Sequence, residues 1–153
     1  MNRRQLLDRL DTAWQDFTAS YAGMSDVDLM EPGVTGGWSV RDIIAHVTTW
    51  DEESLTHLPT IAAGGRTPRY ATRGGIDAFD APRTEQFCGL SLAEVRERQE
   101  ETHRRLLVYL QDVPDVLITW ETRFRRRQRL DTYGHYPLHA AAIRAWREHW
   151  NGG

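Results

Sequence analysis

"GGWSVRDIIAHVTTWDEESL", residues 36–55, joins a helix-start signal to an apolar stripe that gives one of its positions to a histidine. Ser39 with Asp42 three positions later reads as a capping box: the hydroxyl takes a free backbone N–H, and the carboxylate suits the positive helix end. From there Ile43, His46, Val47, Trp50 and Ser54 share one side of a helix expected to run to about Leu58, before Pro59. An imidazole on an inward face needs a partner or a metal, because an unpaired buried polar group costs about 1–3 kcal/mol. His46 is therefore the residue from which function has to be read.

The same period recurs outward from this helix. Leu6, Leu10, Trp14, Phe17 and Tyr21, with Leu7 beside them, predict a helix from about residue 3 to 22. "SLAE", Ser91 to Glu94, is a second capping box, and Leu92, Val95, Gln99, Thr102, Leu106, Tyr109 and Val113 carry a helix up to Pro114. In "TYGHYPLHAAAIRAWREHW", Leu138, Ala142, Ala145, Trp146 and Trp150 fall at helical spacing. Between the second and third helices, Thr60 to Leu90 holds two glycine pairs, Pro68 and Pro82 and little sustained periodicity. A structureless connection of that length is unusual, so a short helical piece is expected at Ile76–Phe79 or Thr84–Cys88. "DVLITWETRFRRRQRL" reads as an extended connection followed by a solvated loop. Four principal helices without an internal repeat predict an all-α chain, one domain over residues 1–153. The expected fold is an antiparallel four-helix bundle with a long, partly irregular connection between helices 2 and 3.

Composition narrows the function classes. With 40% hydrophobic residues and six Trp, the chain can build a substantial core. A net charge of -3 argues against coating nucleic acid or an anionic membrane, so neither is expected as a partner. All 19 basic residues are Arg, which removes Schiff-base lysine chemistry. One cysteine, Cys88, cannot form an internal disulfide, and Asp8, Asp11 and Asp16 interrupt any leader-like apolar run. No segment approaches membrane-spanning length, and the expected location is the cytoplasm.

The histidines differ in context. His57, His103 and His149 sit among polar residues or at helix ends and are expected to face solvent or to act as favourable charges near a helix C-terminus. His135 and His139 are four apart, so both rings lie on one helix face and can reach a single ion. His46 points inward on its own helix. Three such imidazoles make either a metal set with an open fourth position or hydrogen-bonded core histidines, and spacing leaves both readings open. Other candidates are weaker. The run Arg123 to Arg129 lacks an aromatic stacking platform and leaves a non-enzymatic interaction module as a further alternative; one or two of its arginines, or Arg66, Arg69 and Arg73, could clamp a ligand carboxylate. Cys88 has no evident histidine partner and reads as a buried or inert thiol, and Trp38, Trp50 and Trp146 read as core.

Taken together, "GGWSVRDIIAHVTTWDE" and "DTYGHYPLHAAAIRAWRE" resemble the second and fourth helices of the DinB/YfiT-like metal-binding bundle superfamily. Within it they are similar to the branch grouped with ClbS and DfsB. The resemblance implies a divalent metal held by His46, His135 and His139, and three imidazoles suit zinc or nickel. It also implies either activation of a water or a low-molecular-weight thiol against a small-molecule substrate, or protection against a toxic electrophile. Relatives of this kind commonly pair, so a homodimer is expected, with Leu7 and Ala13 on one helix and Leu107 and Leu110 on another as candidate seam residues. The glycine pairs suggest that the 60–90 segment closes over the open coordination position. Pro137 lies between two of the ligands, which requires the last helix to begin near Gly134 or His135 or to kink there.

Overall fold

Asn2 and Gln5 form a capping box that starts α1, Arg3–Ser20, and Leu6, Leu10, Trp14 and Phe17 bury its inward stripe. The computed structural model describes residues 1–67 and 87–152. After a turn through Gly23 and a short helix, α2 (Asp26–Leu29), a tight turn at Thr35–Trp38 leads into α3, Val40–Ala62. The third long helix, α4, spans Leu92–Asp112. Two short helices follow, α5 (Val116–Thr119) and α6 (Arg123–Asp131), and then α7, Tyr136–Gly152. Both sequence-level capping boxes form: Ser39 with Asp42 and Ser91 with Glu94 each exchange reciprocal hydrogen bonds. The chain is all-α, with no strand among the described residues.

Side-chain pairs give the helix directions. Arg3 donates to the Leu110 carbonyl at 2.7 Å, and Gln99 donates to the Tyr21 hydroxyl at 2.9 Å, so α1 and α4 run antiparallel. Asp51 meets Tyr136 while His46 meets His139, so α3 and α7 are also antiparallel. In contrast, Arg41 reaches Leu90 and Glu52 reaches Arg98, which makes α3 and α4 parallel. Asp16 with Arg144 and Ser20 with Arg147 make α1 and α7 parallel. The order is thus up, down, down, up. Gly65 and Phe87 consequently lie at opposite ends of α3, which is about 35 Å long at 1.5 Å per residue. A long connection between helices 2 and 3 is what this topology requires.

Several local expectations are corrected. The second long helix does not stop at Leu58; Pro59 lies inside it, and the helix continues to Ala62. Leu58 and Ile61 both pack into the core, and that burial holds a turn from which Pro59 has removed one hydrogen bond. The end is then closed by a Schellman motif. Gly64 N–H donates to Ile61 at 2.9 Å and Gly65 N–H to Thr60 at 2.8 Å, with Gly64 at φ +84 where a side chain would be strained. The "VLITW" stretch is a helical turn rather than an extended connection, with Ile118 buried. The arginine run is helical, not a loop. Thr122 caps it, and Phe124, Gln128 and Asp131 form its buried stripe. Only one of those three is apolar, so hydrophobic periodicity could not reveal the helix. On α7 the buried stripe is Tyr136, His139, Ala140 and Ile143, whereas Leu138 and Trp150 are exposed. Phe87 and Cys88 are helical; the expected piece at Ile76–Phe79 lies outside the described residues, as do Arg69, Arg73 and most of the proposed lid. No helix among the described residues is long and apolar enough to cross a membrane.

Candidate metal centre

The three inward histidines converge. His46 comes from the second turn of α3, His139 from the first turn of α7, and His135 from the turn just before α7. Pro137 is the second residue of α7, within the first turn, where its missing N–H breaks no helical hydrogen bond and no kink is needed. The Nε2 atoms of His46 and His135 are 3.2 Å apart and those of His139 and His135 are 2.9 Å apart. One nitrogen from each ring lies within 4.8 Å of the others.

Hydrogen bonding alone cannot satisfy this cluster. His135 Nε2 carries either one hydrogen or one lone pair, so it pairs well with one neighbour and not with both. Nδ1 of the same ring is buried without a well-formed partner. A tetrahedral ion with nitrogen ligands at roughly 2.0–2.1 Å would hold those nitrogens about 3.3 Å apart, close to the two separations from His135 Nε2. Electrostatics agree. Burial, reinforced by His139, lowers His46 to about 4; burial, with His139 and His46 beside it, lowers His135 to about 3, against the opposing pull of the Asp131 backbone carbonyl. His139 is lowered by burial as well. All three rings are neutral near pH 7, the state in which imidazole offers a lone pair to a cation. The residues therefore fit a divalent metal with three protein ligands and a remaining position open to a small molecule.

Aromatic rings flank the centre. Trp38, brought in by the turn before α3, lies 4.9 Å from the His46 ring, and Trp50 meets the His135 ring edge-on at 6.2 Å. Trp50 is core as expected, whereas Trp38 is half-buried beside the site.

Adjacent to the histidines is a buried polar layer that sequence reasoning missed. Tyr136 donates to Asp51 at 2.6 Å; Ser54 donates to Asp131 at 2.8 Å, and Arg127 pairs with the same carboxylate at 2.7 Å. Burial raises Asp51 well above the ordinary carboxylate range, although the Tyr136 hydroxyl opposes it. Burial also raises Asp131 to about 6 against the pull of Arg127 and Ser54. A signal existed: Asp51 stands four residues after Val47, within the apolar stripe of α3.

The remaining histidines divide. His149 is exposed as expected, and His57 pairs with Glu53 at 2.8 Å. His103, expected in solvent, is buried flat against Trp14, with ring centroids 3.8 Å apart and planes 5° off parallel. Cys88 is exposed. Among the arginines of α6, Arg125 and Arg129 both meet Glu121, so part of that charge is spent within the molecule.

An all-helical protein with a convergent three-histidine centre is the class that fold and site define. A DinB superfamily model matches residues 9–150, and the chain belongs to that superfamily. No curated protein matches it. Among solved structures, it is similar to an uncharacterised protein from Escherichia coli UTI89, at TM-score 0.78 and 16% identity, over 98% of this chain and 95% of the other. It is also similar to the sibling lethal factor precursor DfsB, at TM-score 0.79 and 15% identity, over 98% and 97% of the two chains. The colibactin self-resistance protein ClbS, in complex with double-stranded DNA, matches at TM-score 0.76 and 14% identity over 93% of each chain. These neighbours match the ClbS and DfsB branch, and at such identities the likeness establishes the fold. The DNA in the ClbS complex runs against excluding nucleic acid for proteins of this fold: a net charge of -3 describes the whole chain and says nothing about a local basic surface.

Proposed function

We propose that the protein is a divalent-metal-dependent DinB-type enzyme in which His46, His135 and His139 hold the ion and leave one position for a water or a low-molecular-weight thiol. The observation that carries this reading is the approach of three neutral imidazole nitrogens that cannot all hydrogen-bond to one another. A zinc or nickel ion bound there would supply Lewis acidity, lowering the pKa of whichever small molecule occupies the remaining position. The chain contributes ligands from two packed helices and the turn before α7, with the Trp38 and Trp50 rings flanking the centre.

Elemental analysis of protein purified without a nickel column tests the proposal. About one divalent ion per chain is expected. His46→Ala should lose most of it, whereas His149→Ala, at an exposed position, should keep it. Metal absent from the wild type, or equal loss in both variants, overturns the assignment.

A second reading is favoured by the neighbours. DfsB and the self-resistance protein ClbS share this fold, which supports a protective protein that captures or inactivates a toxic electrophile. Double-stranded DNA is then a partner class to retain, not one to exclude. Metal dependence separates the two: a protective binder works equally well after chelation, and the metal enzyme does not.

A further inference from the structure

The turn that delivers His135 is bracketed by two buried hydrogen bonds, and both lead to α3, the helix that carries His46. Before the turn, Ser54 donates to Asp131; after it, Tyr136 donates to Asp51. None of these four residues is more than 1% exposed. Burying a carboxyl group in a helical bundle is costly compared with burying an apolar side chain, so stability alone gives no reason for both pairs. Apolar packing is non-directional and tolerates small axial slips, whereas a hydrogen bond weakens steeply with distance and angle. A slip of one residue along a helix is about 1.5 Å, but a metal site tolerates roughly 0.2 Å in its bonds.

We propose that the Tyr136–Asp51 and Ser54–Asp131 hydrogen bonds are positioning contacts that lock the 131–136 turn against α3 and thereby set the separation of His135 from His46. The inference rests on the triad being a metal centre. It assigns Asp51, Ser54, Asp131 and Tyr136 to metal-site geometry, although none of them is a ligand.

The test compares zinc affinity, measured by competition with a chromophoric chelator, and the visible spectrum of the cobalt(II)-substituted protein. Tyr136→Phe and Ser54→Ala should each weaken zinc binding on the order of tenfold, as supporting-shell changes do, and should alter the cobalt bands. Asp51→Asn should retain both properties, because its amide oxygen still accepts from Tyr136. Tyr21→Phe is the matched control: it also deletes a buried tyrosine hydrogen bond, to Gln99 between α1 and α4, and that bond does not join the 131–136 turn to α3. It should lower the melting temperature and leave both metal readouts unchanged. If Tyr136→Phe fails to fold, Ser54→Ala decides, since Arg127 still pairs Asp131 in that variant. Wild-type affinity in both deletion variants, or equal weakening in Tyr21→Phe, would overturn the proposal while leaving the metal reading intact. A wild-type protein that binds no zinc or cobalt removes the metal reading, and this inference with it.

Discussion

His103 shows how a residue's neighbours in sequence can mislead. It lies in "EETHRR", yet it is four residues after Gln99 and three before Leu106, both of which are buried on α4. Stacking on Trp14 removes it from water, and burial lowers it to about 4 despite the opposing pull of Asp11. The unfolded chain then binds more protons than the folded one between about 6.5 and about 4, so stability present at neutral pH is lost as pH falls through that window. His103→Phe keeps a ring on Trp14 and deletes the titration. In urea unfolding of metal-free protein at about pH 7 and about pH 4.5, the wild type should lose more stability than the variant, by a difference on the order of 1–3 kcal/mol. The site imidazoles titrate in both proteins, so comparison of the two isolates His103; identical losses would show that it titrates normally.

At the scale of elements, capping chemistry was the most legible feature. Ser39 N–H donates to Asp42 at 2.9 Å while Asp42 N–H donates to Ser39 Oγ at 3.2 Å, and this exchange fixes the start of α3 six residues before His46. Ser39→Ala should cost about 1 kcal/mol in urea unfolding, and an unchanged midpoint would show that the box contributes nothing. Less legible elements failed for identifiable reasons. Pro59 looked like a stop because a proline removes a donor, but the burial of Leu58 and Ile61 carried the helix past it. α6 was invisible because Gln128 and Asp131 occupy stripe positions that a hydrophobic pattern reserves for apolar side chains.

For the whole molecule, the apolar residues expected to flank a dimer seam are taken up at least in part by the chain's own core. Leu7, Ala13 and Leu107 pack against the core, and Leu110 is fully buried. Apolar surface remains elsewhere among the described residues, at Val108, Trp120, Leu130 and Leu138. We expect a homodimer that uses some of this surface, because the twofold dimer is the commonest symmetric assembly of soluble chains. Light scattering at micromolar concentration should then give about twice the 17.7 kDa of one chain. A mass near 17.7 kDa would confine the protein to a monomer.

The sequence by itself determined the helical class, the two serine capping boxes and the inward placement of His46, His135 and His139, because each depends on spacing within a single helix or turn. Only the tertiary structure decided how the helices run, that His135 Nε2 approaches His46 Nε2, 89 residues away in sequence, within hydrogen-bond distance, and that Asp51 and Asp131 are buried against Tyr136 and Ser54. Those features depend on which faces meet. A carboxylate on a helix carries no local mark of whether water or a tyrosine will lie opposite it, and packing across the bundle settles that.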